Sequence, residues 1–547
     1  MKIKYKIIGI LSVLLIFVSA CKESFLDSVP IDKINTANYY QNDDDFNKAI
    51  NGVYNALEPW AQSMDFFPMI DIATPIAASG GGRFGAFLWG NMAYTPTSSR
   101  MSQEWWPQYW MGVARANEVI IKIEEKGSVI TTPALRDRIH GEALFLRAYF
   151  YFYLTYLWGD VPLITGPLSG DDVKPARSPH AQVVEQMITD LKEAETLLPS
   201  VTEYRTSSAL LGRVSKGAAM SLLGKVYCFE KRWSDAETEL KKVIDSGDYK
   251  LTPGATGFID QFWPEGENGI ESIFEIQYAA DVLQDRSNFY IAYATTAGAG
   301  INATGFGYTN PTDYLVDLFE TTGGYKVTSN WISNAASKDS FTFTSADPAF
   351  VPLKPFTNRD PRLMWTVMYQ GSPYLAWKFP ANTFTADLPK ETNYATVKYI
   401  IPESTGSNGS QNEIVIRYAD VLLLYAEALM EQAKLTDAAT YVNMVRQRPS
   451  VNMPVVPASV VGDQGQLRQY IHEERIRELS LEYGHVFFDL RRWGIYGQEM
   501  KKYWTANKYG HVNPAVPFDE GRDNLWPIPQ EDRDLNPNLS QNPGYTQ

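Results

Sequence analysis

The stretch from Arg417 to Gly494 constrains the fold of this chain most strongly, because it has the apolar spacing of paired helices. Apolar residues recur first at i, i+3, i+4, i+7 and i+8, on one face of a helix: Val421, Leu424, Tyr425, Ala428 and Leu429. A second amphipathic segment follows, with an inward face of Ala438, Ala439, Val442 and Val445. The link 433–437 between them is short, which predicts an antiparallel helical hairpin.

A third helix is predicted around Leu467–Tyr483, and it is dense in charge. Glu474 precedes Arg477 by three residues and Glu478 by four, so acidic and basic groups share one side of the helix. Mixed charges at this spacing are typical of a solvated helix face, and we predict that this face lies in water.

A second helical hairpin with a similar pattern is predicted N-terminal to the first. Small and apolar residues at the spacing of a tetratricopeptide repeat occur at Leu223, Gly224, Tyr227, Ala236 and Leu240. Aligning Asp235 with Asp437 pairs Leu240 with Val442 and also Val243 with Val445. Two unrelated amphipathic hairpins are the alternative, because a repeat assignment rests safely only on several copies.

The N-terminus has the three parts of a bacterial secretory signal. Three lysines precede an apolar run over 7–18, which is too short to span a membrane comfortably. The run ends in Val18-Ser19-Ala20-Cys21, which resembles a lipobox, so we predict cleavage before Cys21 and acylation of that residue. A plain secretory signal with a chance cysteine is the alternative. The other cysteine, Cys228, is predicted to be a small buried apolar residue.

The rest of the chain divides into helical and irregular segments. Helices are predicted over 43–57, 104–125, 134–158, 180–198, 213–247 and 312–320, and 134–158 is apolar nearly all round, as a buried helix is. The segment 58–102 is loop-like, and 250–415 has the texture of long loops with small strands, such as 272–278 and 362–369. The proline- and asparagine-rich tail 495–547 is expected to dock as extended chain.

The amino-acid composition indicates a folded chain and argues against some classes of ligand. Apolar residues make up 44% of the chain and charged residues 20%, so the chain can form a core and is not disordered. The formal net charge of −14 argues against nucleic acid as a partner, because phosphates would be repelled. The 14 Trp, 32 Tyr and 26 Phe residues offer faces for sugar rings or peptides, although most such rings form core.

Several short motifs, in this order, resemble the SusD/RagB family of nutrient-binding surface lipoproteins of Bacteroidetes. They cover nearly the whole chain: 21–27, 141–149 with 157–163, 359–362, 417–423, 443–446, 474–479, 489–494, 527–529 and 541–545. The chain departs from the family pattern at Val486, where an arginine is usual, and at Tyr483, which looks like an extra residue. The departure bears on local packing rather than on the assignment.

The resemblance implies a mainly α fold of tetratricopeptide-like helical hairpins with long irregular loops and small β elements. It implies a signal peptide 1–20, a helical region 21–250, loop-rich ligand-face insertions 251–415 and a C-terminal region 416–547. It also implies an outer-membrane, cell-surface location and a TonB-dependent SusC-like transporter as partner. Charged residues of the shared motifs are expected to form buried ion pairs and helix caps. No cofactor is expected, and a structural calcium, which some relatives carry, stays open.

Two long glycine-bearing loops are the predicted ligand site, for an oligosaccharide or polysaccharide. Sugar rings stack on aromatic side chains, and their hydroxyls pair with polar ones. The loop 71–103 supplies Asp71, Arg83, Phe84, Trp89, Asn91 and Tyr94, and the loop 279–310 supplies Arg286, Asn288, Tyr290 and Tyr308. Trp89 and Arg83 are the strongest candidates, because they flank a glycine-rich turn.

Three other functions compete with glycan binding. The same loops could bind peptides, since abundant tyrosines suit both ligands. A hydrolase is disfavoured, because no Gly-x-Ser-x-Gly elbow is found and His472-Glu473-Glu474 lacks the second histidine of a zinc-protease motif. A carboxylate pair of a glycosidase stays open, since its spacing is spatial. A pure scaffold would not need the long inserts.

Overall fold

The structure is a computed structural model, and it describes most of the chain. The described residues are 39–57, 67–79, 90, 92–98, 104–168, 170–207, 209–279, 307, 309–332, 340–369, 372, 392, 394–400, 410–505 and 518–545. The signal segment with Cys21 lies outside these ranges, and the predicted division of the chain into regions stays a prediction.

The N-terminal half is built from helices in sequence. They are α1 (Asp43–Tyr54), α2 (Phe67–Ile72), α3 (Trp106–Lys126), α4 (Pro133–Trp158), α5 (His180–Leu197), α6 (Val201–Arg205), α7 (Lys216–Phe229), α8 (Trp233–Ser246) and α9 (Gly257–Asp260). Single 3-10 turns cover Asn55–Leu57, Gly127–Val129, Gly170–Val173 and Pro264–Gly266. The main helices match the segments predicted from the apolar spacing.

The C-terminal half alternates short strands with helices. Its helices are α10 (Asp313–Leu318), α11 (Arg362–Thr366), α12 (Tyr418–Glu431), α13 (Leu435–Arg446), α14 (Ala458–Val461), α15 (Gln464–Leu479), α16 (His485–Arg492), α17 (Tyr496–Thr505) and α18 (Gln530–Leu535). The strands are β1 (Ala77–Ser79), β2 (Ser272–Ile276), β3 (Thr309–Pro311), β4 (Val327–Ile332), β5 (Ser340–Ser345), β6 (Val367–Met368), β7 (Ala395–Thr396) and β8 (Glu413–Arg417). They form two-stranded antiparallel pairs: β1 with β3, β2 with β8, β4 with β5 and β6 with β7. The prediction of a mainly α fold with small β elements is confirmed.

The two aligned hairpins have the same turn. Lys231 links α7 to α8 with φ 56°, and Ala433 links α12 to α13 with φ 60°, a left-handed conformation that few side chains adopt. The inward residues that the alignment pairs are all buried: Ala236, Leu240 and Val243 in α8, and Ala438, Val442 and Val445 in α13. The predicted relation between the hairpins is therefore confirmed, and α8 also packs on α12.

Helix α4 forms the centre of the N-terminal half. Its aromatic residues are buried on several faces, and it packs against both α3 and α5. Tyr153 stacks on Tyr109 of α3 with ring centroids 5.4 Å apart. Gly159, with φ 76°, ends the helix where its neighbour Leu525 leaves little room for a side chain. Cys228 is buried, as predicted, and burial raises the pKa of its thiol.

Two local predictions are wrong. The segment 362–369 is predicted as a strand, but only Val367–Met368 is strand, β6. Arg362–Thr366 is helix α11, because ion pairs of Arg362 hold it against α15. The tail is predicted as extended chain, but Tyr496–Thr505 is helix α17. The described later tail docks as irregular chain apart from the short helix α18, and the Trp526 main-chain amide donates to Leu157 O at 2.8 Å.

The predicted solvated face of α15 is also wrong. Glu474, Arg477 and Glu478 are fully buried, because segments distant in the chain cover this side of the helix. Glu478 accepts hydrogen bonds from three arginines: Arg362 at 2.9 Å, Arg417 at 2.7 Å and Arg448. The second expectation for these motif residues, that they form buried ion pairs, is confirmed.

The buried charges around α15 balance one another. Ion pairs join the basic residues Arg362, Lys398, Arg417, Arg446, Arg448 and Arg477 to the acidic residues Glu271, Glu320, Asp360, Glu474, Glu478 and Glu482. Burial by itself would raise the pKa of Glu478, but its three arginines lower it to about 2. We call this set the α15 network. It fastens α15 to β2, β8, α11 and α13.

Candidate functional site

Most of the predicted ligand residues lie outside the described residues. These are Arg83, Phe84, Trp89, Asn91, Arg286, Asn288, Tyr290 and Tyr308. Asp71 and Tyr94 are described, and both are buried, Asp71 in α2 and Tyr94 beside the C-terminal chain. The ligand role of all ten residues stays a prediction.

Asp71 and Tyr94 have well-defined surroundings in the interior. Burial raises the pKa of Glu413 in β8, and the charge of Asp71 raises it further. Burial also raises the pKa of Tyr94, whose ring centroid lies 6.4 Å from that of Tyr545. Neither side chain is exposed to solvent in this structure.

A cavity of about 660 Å³ lies where the end of α4 meets the C-terminal chain. Its walls come from α4, α5, α7, α16, α17 and the tail, so it forms only when both halves of the chain fold together. It is lined by Thr155, Tyr156, Gly159, Asp160, Arg177, His180, Phe229, Glu230, Phe488, Arg491, Arg492, Gly494, Tyr496, Glu520, Asn524, Leu525, Asn542 and Pro543. We call it the α4-tail cavity. Its size is that of a small-molecule site.

A chain of hydrogen bonds forms one wall of the α4-tail cavity. Glu230 accepts from Tyr156 at 2.6 Å and lies 3.1 Å from His180 Nε2, and His180 Nδ1 lies 2.7 Å from the Thr155 hydroxyl. Burial would raise the pKa of Glu230, but the hydrogen bonds from His180 and Tyr156 lower it. The Thr155 hydroxyl also lies 2.9 Å from Gly159 O. These groups satisfy one another, which suits a rigid wall better than a nucleophilic centre.

Arg177 ties the tail to the opposite wall. Its guanidinium donates to Asp160 O at 2.6 Å, Ser540 O at 2.9 Å and the Asn542 side-chain oxygen at 2.5 Å. These acceptors are neutral, and burial lowers the pKa of Arg177. The side-chain amide of Asn542 in turn donates to Trp158 O at 2.8 Å. The cavity wall is therefore held by hydrogen bonds to main-chain carbonyls.

Two adjacent arginines of α16 reach this cavity with different partners. Arg492 pairs with Glu427 at 2.6 Å and with Asp489 at 2.8 Å. Arg491 Nη1 is buried and donates no hydrogen bond, and the guanidinium of this residue lies 4.9 Å from the ring centre of Phe487. The motif 489–494 was recognised in the sequence, but nothing in it distinguishes these two arginines.

The described residues hold no group of three or more His, Cys, Asp or Glu side chains placed to bind a metal ion. Among the helices described, none combines the length and apolar character needed to cross a membrane. The α4-tail cavity combines aromatic rings, amides and a cation. That chemistry suits binding of a polar ring compound.

Both halves of the chain match known families. Residues 270–545 match the family model described as the SusD family, and residues 25–228 match one described as "Starch-binding associating with outer membrane". The SusD-like protein P25 of Formosa agariphila is 26% identical over 538 residues, covering 93% of this chain and 95% of that protein.

Solved structures share the fold. A SusD-like protein from Bacteroides fragilis is 24% identical, covers 95% of this chain and 100% of its own, and has a TM-score of 0.76. Surface glycan-binding protein A from Bacteroides thetaiotaomicron, solved in complex with laminarihexaose, is 22% identical and has a TM-score of 0.67. The match covers 92% of this chain and 99% of that protein. Because the first family model alone spans just over half of the chain, the protein belongs to the SusD family.

Proposed function

We propose that this protein binds extracellular glycan at the outer membrane and delivers it to a TonB-dependent SusC-like transporter. The observation that carries the proposal is the match of residues 25–228 to a family described as starch-binding and associating with the outer membrane. A protein of the same fold was solved with laminarihexaose bound, which is consistent with this role. The protein acts as a binder, without catalysis.

The predicted loops 71–103 and 279–310 form the principal glycan site in this proposal. Trp89 supplies a face for a sugar ring, and Arg83 supplies donors for its hydroxyls. An aromatic face can stack on any of the sugar rings along a repeating polymer. It therefore suits a protein that captures chains and passes them on.

Attachment at Cys21 keeps the protein at the membrane surface in this proposal. Several acyl chains on one residue anchor stably, whereas one chain binds reversibly. Replacing Cys21 with serine should abolish incorporation of labelled palmitate and release the protein from the membrane fraction. Retained labelling in Cys21→Ser would refute the anchor. Co-purification of the wild-type protein with a SusC-like barrel tests the partner.

Binding of the purified protein to an array of plant, host and microbial polysaccharides tests the function. We expect Trp89→Ala to lose the binding, and Trp233→Ala, on the repeat hairpin outside both loops, to keep it. Binding that survives in Trp89→Ala moves the site to the second loop. An array without any binding, together with binding to a peptide library, would replace glycan by peptide as the ligand. Shortening of a polymer on incubation would show an enzyme.

A further inference from the structure

Arg491, which is partly buried, differs from the paired arginines described above. Arg177 also has no carboxylate partner, but its guanidinium donates to neutral oxygens. Each cation of the α15 network has a carboxylate partner, and Arg492 has two. Arg491 has no carboxylate within ion-pair distance in the described part of the chain, and its buried Nη1 donates no hydrogen bond. A buried cation without a counter-charge is costly, so its presence calls for an explanation.

The groups that interact with Arg491 are neutral. They are the ring of Phe487 and the phenols of Tyr94, Tyr496 and Tyr545. Burial raises the pKa of each of these phenols, so they do not supply a negative charge at neutral pH. Burial lowers the pKa of Arg491 itself, but an arginine stays protonated near neutrality.

The acids of the same cavity are engaged with other residues. Asp160 accepts the His180 amide at 2.8 Å, and Glu230 holds Tyr156 and the His180 ring. Glu520 is exposed at the rim and lies 3.7 Å from Lys501. Arg491 therefore faces the cavity with its charge uncompensated, and a guanidinium in that state binds carboxylate or sulfate oxygens in pairs.

The rest of the lining matches a sugar ring. Tyr156, Phe229 and Phe488 provide aromatic surface, and Asn524 provides an amide. The volume of about 660 Å³ accommodates a monosaccharide or a short oligosaccharide end. Aromatic faces hold the apolar side of the ring, and the amide pairs with its hydroxyls.

We propose that the α4-tail cavity is a second sugar site, which takes a sugar bearing an anionic group and binds that group at Arg491. The ligand class is a uronic acid or a sulfated sugar, the two sources of a negative charge on a glycan. This inference rests on the proposed glycan-binding function and adds a site outside the predicted loops. Neutral sugars bind this cavity more weakly, because they leave the guanidinium unpaired.

Titration calorimetry of the purified protein with D-glucuronic acid, glucose 6-sulfate and D-glucose tests the proposal. We expect either anionic sugar to bind at millimolar concentration or below, and glucose to bind about tenfold to hundredfold more weakly, as the loss of a charge-assisted hydrogen bond predicts. Glucuronic acid alone identifies a carboxylate site, and the 6-sulfate alone identifies a sulfate site. Sodium acetate and sodium sulfate, as free anions, should compete only weakly.

The variants Arg491→Gln and Arg491→Lys separate charge from shape. Arg491→Gln should lose about tenfold or more of the affinity for the anionic sugar, and Arg491→Lys should keep part of it. The matched control is Arg136→Gln, which removes an exposed arginine paired only with Asp137 and should bind like wild type. Circular dichroism of each variant checks folding. If Arg491→Gln fails to fold, the retained preference of Arg491→Lys for the anionic sugar over glucose gives the same test.

Three results would overturn the inference. They are no binding of either anionic sugar to the wild-type protein, equal binding of glucose, and unchanged affinity in Arg491→Gln. Polysaccharide binding that depends on Trp89 but not on Arg491 leaves the proposed function intact and removes only this site. Binding of glucuronic acid without any polysaccharide binding would support the site at Arg491 and contradict the proposed function.

Discussion

The α15 network and the α4-tail cavity differ in how they accommodate buried charge, and the same difference separates two adjacent residues of α16, Arg491 and Arg492, which both line the cavity. Arg492 is covered and paired with Glu427 and Asp489, whereas Arg491 faces a cavity without a carboxylate partner. In a helix, successive residues point about 100° apart, so neighbours in sequence enter different surroundings. Arginine-rich motifs therefore need not have one role along their length.

The charges of the α15 network stabilise the fold, whereas the charge of Arg491 is available to a ligand. In the α15 network, six basic and six acidic residues form ion pairs with one another, so each cation there has a carboxylate partner. In the cavity, within the described residues, Arg491 has no counter-charge and its Nη1 donates no hydrogen bond, whereas Arg177 donates to neutral oxygens. Four predictions test this difference, from the largest expected effect to the smallest.

Glu478→Gln should have the largest effect, because three arginines lose a shared carboxylate inside the fold. We expect the free energy of unfolding to fall by about 5 kcal/mol, the upper end for breaking a buried ion pair. Urea denaturation measures it. The control Asp245→Asn removes an exposed partner of Lys241 and should change stability by about 0.5 kcal/mol or less. A loss below about 1 kcal/mol in Glu478→Gln would contradict a network that holds the fold.

Arg492→Gln should lower the free energy of unfolding by about 3 kcal/mol, because Glu427 and Asp489 would lose a buried cation. Burial would raise the pKa of Glu427, but Arg492 lowers it to about 2. The same urea titration serves as the measurement. A cost equal to that of Arg491→Gln would erase the distinction between the neighbouring arginines.

Acidification should destabilise the protein through two buried histidines. Burial lowers the pKa of His485 to about 3 and that of His472 to about 4, below the usual 6.5. The unfolded chain therefore binds more protons than the folded chain between pH 6.5 and about 4, and stability falls as the pH falls through that window. We expect a loss of about 1–3 kcal/mol between pH 7 and pH 4.5, measured by urea midpoints. His485→Gln should flatten this dependence, and an unchanged slope would contradict it.

Arg491→Gln should have the smallest effect on stability in the absence of ligand. Removing a buried cation that has no counter-charge relieves a desolvation cost, so we expect no change or a gain of up to about 1 kcal/mol. Thermal and urea unfolding measure it beside Arg492→Gln. A loss as large as that of Arg492→Gln would show that Arg491 holds the fold and would weaken the case for a ligand.

The helices were predictable because their signal is local. Apolar residues at a spacing near 3.6 identify α4, α7, α8, α12 and α13 wherever the chain is folded, and the alignment of Asp235 with Asp437 anticipated the shared turn at Lys231 and Ala433. The family followed from motifs spread over nearly the whole chain. The strand predicted at 362–369 is correct only at Val367–Met368, and it is wrong over Arg362–Thr366, because ion pairs made by Arg362 to distant residues outweigh local preference.

The sequence by itself determined the order of the helices, the relation between the two hairpins and membership of the family. Only the tertiary structure decided where each charge resides. Glu474, Arg477 and Glu478 have the same spacing in an exposed ladder as in a buried network, and the difference lies in what covers them. Likewise, Arg491 and Arg492 are adjacent arginines of one motif, and the sequence does not distinguish their surroundings. Arg492 pairs with Glu427, which belongs to another helix, α12. Arg491 lines a cavity whose walls include the C-terminal chain.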